Sequence, residues 1–209
     1  LIKKLAVFAS GVGSNLARIH RAITEGRLAG AELTLVVSNN SASGALEYAR
    51  MHQIPALHVS LASYRNDLTF FEQELIREVT SKEIDIIALA GYMKKLPDDF
   101  VKLFEHRILN VHPSLLPSFG GSGLYGLRVH EEVLARGCKV SGASVHFVTQ
   151  EYDAGPIVLQ KCCPVKEDDT PELLQRRVRD LEYEIFPKAI ELLAQNKIFV
   201  ENNRAHILP

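Results

Sequence analysis

The sequence predicts an α/β fold built on a doubly wound, mostly parallel sheet with an antiparallel addition toward its C-terminal end, and three observations carry that expectation. Short runs that are apolar on both faces alternate with stretches of helical periodicity through the first half of the chain, the pattern of a parallel sheet covered by helices on both sides. A glycine turn, Ser10-Gly11-Val12-Gly13-Ser14, joins the first run to the first helical stretch. Two more strand-like runs follow each other late in the chain across a tight turn, too close for a helical crossover and so antiparallel.

In chain order, the strand-like runs of the first half are Leu5 to Ser10, Leu33 to Ser38, Ala56 to Val59 and Ile84 to Ala90. Helical patterns separate them at Ser14 to Glu25, Ser43 to Met51 and Asp67 to Thr80. Arg107 to His112 is a further strand, and the Pro/Gly/Ser-rich stretch from Pro113 to Gly126 fits neither period and is expected as a long loop. A helix over Val129 to Arg136, stopped by Gly137, precedes strands at Ala143 to Val148 and Ile157 to Val165, which flank the turn Asp153-Ala154-Gly155-Pro156. Thr170 caps the last helix and Pro171 sits in its first turn, with Leu173, Leu174, Val178, Leu181 and Ile185 expected on its apolar face. No repeat or linker interrupts the 209 residues. They read as one domain, with a phosphate-binding half over about 1–105 and a catalytic half over about 106–209.

Composition excludes several classes. Hydrophobic residues are 46% and charged residues 23%, as in an ordinary globular chain. With 24 Lys+Arg against 25 Asp+Glu, the formal charge of -1 offers no footprint for nucleic acid. No window approaches the apolar length of a membrane span, and the first apolar run is too short for a signal sequence, so the cytoplasm is the expected compartment. Cys138, Cys162 and Cys163 form neither a disulfide framework nor a zinc spacing. Nothing in the pattern fixes an oligomeric state.

Two segments carry chemistry. The turn Ser10 to Leu16 runs from a strand into a helix, where backbone N–H groups and the helix dipole favour a phosphate. Leu16 stands where a dinucleotide fingerprint needs its third glycine, and Ser38-Asn39-Asn40 follows the second strand where that fingerprint needs an acid. Asn110-Val111-His112-Pro113-Ser114-Leu115-Leu116-Pro117 lies at a strand's carboxyl end, with Asn110 and His112 two apart and so on one face. An amide beside an imidazole stabilises an oxyanion and moves a proton. Asp153, in a tight turn, is placed to orient that ring and favour its protonated form. With no nucleophilic Ser or Cys paired to a base, direct acyl transfer between two bound substrates is the chemistry that fits.

The runs Asn110-x-His112-Pro-Ser-Leu-Leu-Pro, Gly142-x-Ser144-x-His146-Phe147-Val148 and Asp153-x-Gly155, taken together, resemble the folate-dependent formyltransferase family. The resemblance implies transfer of a formyl group from 10-formyltetrahydrofolate, used as cosubstrate without a metal, to the amine of phosphoribosylglycinamide in purine synthesis. It implies Asn110, His112 and Asp153 as catalytic residues. Gly13, Ser14 and Asn15 would hold the ribose phosphate, and Glu182, helped by Arg179, the glycinamide end. The folate pocket would be Tyr92, Met93, Lys94, Lys95 and Leu96, closed by Thr149, Gln150, Glu151, Tyr152 and Asp153, with Asn110 reaching into it. Arg65 is carried as a folate contact although it stands two or three positions out of step; His130 and His146 match family histidines, and the loop over 119–128 is longer than in many relatives. Alternative readings are a formyltetrahydrofolate hydrolase, a formyltransferase for another amine, and a non-catalytic folate or nucleotide sensor.

Overall fold

In the computed structural model, which describes residues 1–209, seven strands form one sheet: β1 Lys3–Phe8, β2 Ala31–Ser38, β3 Ala56–His58, β4 Ile86–Leu89, β5 Ile108–His112, β6 Val140–Phe147 and β7 Ile157–Pro164. Their order across the sheet is β3-β2-β1-β4-β5-β6-β7. The pairs β3/β2, β2/β1, β1/β4 and β4/β5 are parallel, while β5/β6 and β6/β7 are antiparallel. The expected architecture is therefore the observed one. The order reverses at β1, so the crevice between the carboxyl ends of β1 and β4 is the switch point where such sheets bind ligands.

Helices cover both faces because the strands are apolar on both. Along β1, Leu5 and Val7 pack with α1 (Ser14–Thr24), α2 (Gly44–Met51), α5 (Leu127–Ala135) and α6 (Pro171–Ala194). The alternate residues Ala6 and Phe8 pack with α3 (Leu68–Ser81) and α4 (Asp98–Leu103). Phe8 is fully buried, which stabilises the fold by about 1.5–3 kcal/mol for a side chain of this size. The caps follow the sequence: Ser43, Asp67 and Thr170 each accept a backbone N–H three residues on.

Four differences from the sequence reading have physical causes. The helix α4 was not expected, because its N-terminal N–H groups on Asp99 and Phe100 are satisfied by the Glu72 carboxylate of α3, both at 3.1 Å, rather than by a local cap. After α6 the chain continues into a hairpin, β8 Ile198–Glu201 and β9 Arg204–Ile207, whose turn places Asn202 and Asn203 at φ 50° and 59°. Two adjacent Asn between apolar runs are the available signal for that turn. Leu173 is 42% exposed instead of facing the core, since it lies in the first turn of α6, off the stripe of Leu174 and Val178. Strand β6 starts three residues earlier than read, at an exposed Val140 that pairs with Pro164.

Candidate active site

A cavity of about 550 Å³ opens at the carboxyl ends of β1, β4 and β5, within the range of small-molecule sites. Strand pleating decides what β5 sends there: Leu109 and Val111 go into the core, and Asn110 and His112 face the cavity. Residues 91–96 after β4 form one wall, residues 148–153 between β6 and β7 another, and loop residues 121–126 a third. Gln175, Arg179 and Glu182 from α6 close the end nearest α1.

The centre is a cluster of two imidazoles around one carboxylate. Asp153 Oδ2 lies 3.5 Å from His112 Nδ1, and Asp153 Oδ1 lies 3.6 Å from His146 Nε2. Asp153 also accepts the Gly121 N–H at 2.9 Å. Its left-handed backbone, φ 54°, turns the side chain back toward β5, a conformation that Asp tolerates better than most residues. Burial pushes the Asp153 pKa up, but His146, His112 and the Gly121 N–H together outweigh it and hold the carboxyl below its ordinary value. Asp153 is therefore ionised near neutrality.

His112 is buried, and burial lowers its pKa below the ordinary imidazole value against the opposing pull of Asp153 and the Phe119 carbonyl. The expectation that Asp153 raises the His112 pKa holds for the sign of that one interaction; the net direction is down, because removing the ring from water costs more than the partner returns. The Nε2 of His112 is 2.8 Å from the Phe119 carbonyl, so it is Nε2–H that donates there. With both ring nitrogens beside acceptors, contacts favour the charged ring while burial favours the neutral one.

Asn110 sits beside this cluster. His146 Nδ1 is 2.8 Å from the Phe147 carbonyl and donates to it, and its Nε2 is shared between the Asn110 amide nitrogen at 3.0 Å and Asp153 Oδ1 at 3.6 Å. The second N–H of that amide is free for a ligand. Ser144, in the same motif, does not line the cavity: its buried hydroxyl donates to the Ser114 carbonyl at 2.6 Å and accepts the Leu116 N–H at 3.0 Å, anchoring the start of the long loop.

At the α1 end, Asn15 donates its side-chain amide to Glu182 at 2.9 Å. Burial raises the Glu182 pKa, and the Asn15 hydrogen bond and the Arg179 charge partly offset it. Asn15 Oδ1 and Arg179 Nε are buried with no partner in the protein. Gly13 and Ser14 lie outside the cavity lining. Gly13 caps α1 at φ 82° with no side-chain bond, leaving first-turn N–H groups open to an anion. A Cβ on Gly13 would stand 2.9 Å from Ala45 Cα, so the turn admits only glycine.

The remaining expected residues divide. Those of 92–96 and 149–152 line the cavity, as does His130, whose buried Nδ1 has no partner and whose pKa burial and the neighbouring His112 push down to about 4. Arg65 does not reach it: an exposed residue, it ends the 3-10 turn Leu61–Tyr64 in a left-handed conformation, φ 54°, before the chain enters α3. Sequence reasoning missed Gln175, although its spacing of four from Arg179 puts both on one side of α6. No group of three or more His, Cys, Asp or Glu is arranged to hold a metal ion.

The pattern of the family described as "Formyl transferase" matches residues 3–190. The chain is 41% identical to the "Phosphoribosylglycinamide formyltransferase, chloroplastic" of Arabidopsis thaliana over 94% of its own length and 67% of that protein's. Against this and other curated relatives it spans between 19% and 67% of their length. Among solved structures, glycinamide ribonucleotide transformylase 1 from Symbiobacterium toebii superposes with a TM-score of 0.92 at 38% identity, covering 100% of this chain and 95% of that one. A formyltetrahydrofolate deformylase from Pseudomonas syringae superposes at 0.89 with 28% identity, covering 100% and 67%. The family match takes in the whole seven-stranded sheet and every residue of the His112, His146 and Asp153 cluster, so the resemblance read from the sequence is borne out and the chain belongs to the formyl transferase family.

Proposed function

We propose that this chain transfers the formyl group of 10-formyltetrahydrofolate to the amine of phosphoribosylglycinamide, a step of purine synthesis. The observation that carries the reading is one cavity with two differently built ends around the Asn110, His112 and Asp153 cluster. The end at Asn15, Arg179 and Glu182 offers buried unpartnered polar atoms beside an uncapped helix start, suited to a phosphorylated amine. The other end, walled by 91–96 and 148–153, offers backbone and apolar surface suited to a flat heterocycle. On this reading the N-terminal half supplies the phosphate end and the C-terminal half most of the chemistry. All three cysteines are free, which suits the reducing cytoplasm.

The substrate amine attacks the formyl carbon, forming a carbon–nitrogen bond and an oxyanion. The free Asn110 N–H and the His112 ring hold that oxygen. The tetrahedral carbon then releases the folate nitrogen N10, which takes up a proton, while the amine loses one toward the His112–Asp153 pair, directly or through water. The activated one-carbon unit comes with the folate, and no metal enters the step. For His112 to reach the oxyanion through Nε2, a substrate oxygen must displace the Phe119 carbonyl, so loop 119–121 shifts when the site fills.

The likeness to a deformylase favours one second reading, with water as the attacking group. A spectrophotometric assay of 10-formyltetrahydrofolate, with and without phosphoribosylglycinamide, decides among the readings. Turnover that requires the amine supports the transferase; folate deformylation without it supports the hydrolase. Tight folate binding with neither reaction supports a sensor.

A further inference from the structure

Ser10 lies outside the cavity lining and has no part in the chemistry above, yet it makes a hydrogen bond with every polar group it has. Its N–H donates to the Gly91 carbonyl at 3.1 Å and its carbonyl accepts from Asn40 Nδ2 at 3.3 Å. Its hydroxyl donates to Asn39 Oδ1 and accepts the Met93 N–H at 2.8 Å. Three segments meet on this one residue: the glycine turn after β1, the turn after β2, and the cavity wall after β4.

The position matters more than the number of bonds. The crevice between the ends of β1 and β4 is the switch point of the sheet, and Ser10 and Gly91 are the residues that span it. On one side the chain passes within five residues to Asn15, which holds Glu182; on the other it runs into Met93, Lys94 and Lys95. The side chain of Asn39 has no other bond, so its contact with Ser10 is the one that ties the β2 turn to the hydroxyl.

Resting on the functional reading above, we infer that Ser10 is a positioning residue that sets the phosphorylated-amine end of the site in register with the folate end. Bonding one hydroxyl to both sides of the crevice fixes the separation between the two reactants. Each substrate alone contacts one side, so a loosened register costs little in either binary complex. It is felt when both are bound, where a displacement near 1 Å costs up to about 100-fold in rate.

The test is a split between binding and turnover in Ser10→Ala, with Asn39→Ala as a second variant that leaves the Met93 bond in place. Calorimetry would give the binary affinities for phosphoribosylglycinamide and for the product tetrahydrofolate, and steady-state assays would give kcat. The expected result for Ser10→Ala is kcat down by about tenfold or more with both binary affinities within roughly twofold of wild type, and a smaller fall of kcat in Asn39→Ala. An unchanged kcat in Ser10→Ala overturns the inference. So does a loss of kcat accompanied by matching losses of both affinities and of Tm, which marks a purely structural residue. A wild-type chain with no amine-dependent turnover defeats the functional reading itself, whereas an active wild type with an unaffected Ser10→Ala defeats this inference alone.

Discussion

Asp153 stands 3.5 Å from the Nδ1 of His112, although a loop, helix α5 and strand β6 separate the two in the chain. The antiparallel pairing of β5 with β6 brings them together, setting Asn110 opposite His146 and His112 opposite Ser144. The turn that follows β6 then folds Asp153 back over the strand end. Gly155 makes that turn possible, and Gly121 ties the loop to the same carboxylate.

Replacing Asp153 by Asn removes the charge that opposes burial at His112. The His112 pKa, already below its ordinary value, should fall further, and amine-dependent turnover should drop by roughly 10²–10⁴-fold. An NMR titration of the His112 ring in wild type and variant checks the sign. A ring that titrates higher in Asp153→Asn contradicts the electrostatics described.

His112→Ala should lower kcat on the same scale, about 10²–10⁴-fold, because it removes both a donor to the oxyanion and a proton carrier. Combining it with Asp153→Asn should cost little more than the worse single change, since the two act as a unit. Full additivity in the double variant would separate their roles.

Glu182→Gln should act on the amine substrate alone. The buried Glu182 side chain accepts the Asn15 amide and feels the Arg179 charge, while Arg179 Nε itself has no partner in the protein. Replacing one carboxylate oxygen by an amide nitrogen leaves an acceptor position there unfilled, at a cost of about 1–3 kcal/mol, so the KM for phosphoribosylglycinamide should rise roughly 5- to 150-fold while the folate KM stays put. Steady-state kinetics with each substrate varied in turn gives the answer.

His130 makes stability depend on pH. Its folded pKa is pushed from the model-peptide value of 6.5 down to about 4, so the unfolded chain binds the extra proton between those values. The stability tied to its neutral form is complete above pH 6.5, is lost as pH falls toward 4, and changes no further below that; the loss is on the order of 3 kcal/mol at most. Urea denaturation of wild type and His130→Gln at pH 7.5 and pH 5 should show a smaller acid loss in the variant.

Gly155→Ala should destabilise the fold by about 3 kcal/mol or more. The added Cβ would lie 1.9 Å from the Phe147 carbonyl oxygen, a backbone atom of the neighbouring strand that cannot rotate away. A denaturation midpoint equal to that of wild type would show that the turn after β6 can open.

What the sequence determined by itself was everything set by local periodicity and local caps. The doubly wound strands, the cap Thr170 and the polar pair at the end of β5 are written in spacings of two to four residues, because each segment records which of its faces is buried. The motif resemblance added Glu182 and the wall over 92–96. Tertiary structure alone decided the rest: Glu72 capping α4 from another helix, the Phe119 carbonyl on His112, Asn15 turned onto Glu182, Arg65 left outside the cavity lining, and Ser10 joining three turns. Apart from Arg65, these are hydrogen bonds between residues that no helical or strand period pairs, so they leave no periodic trace in the sequence.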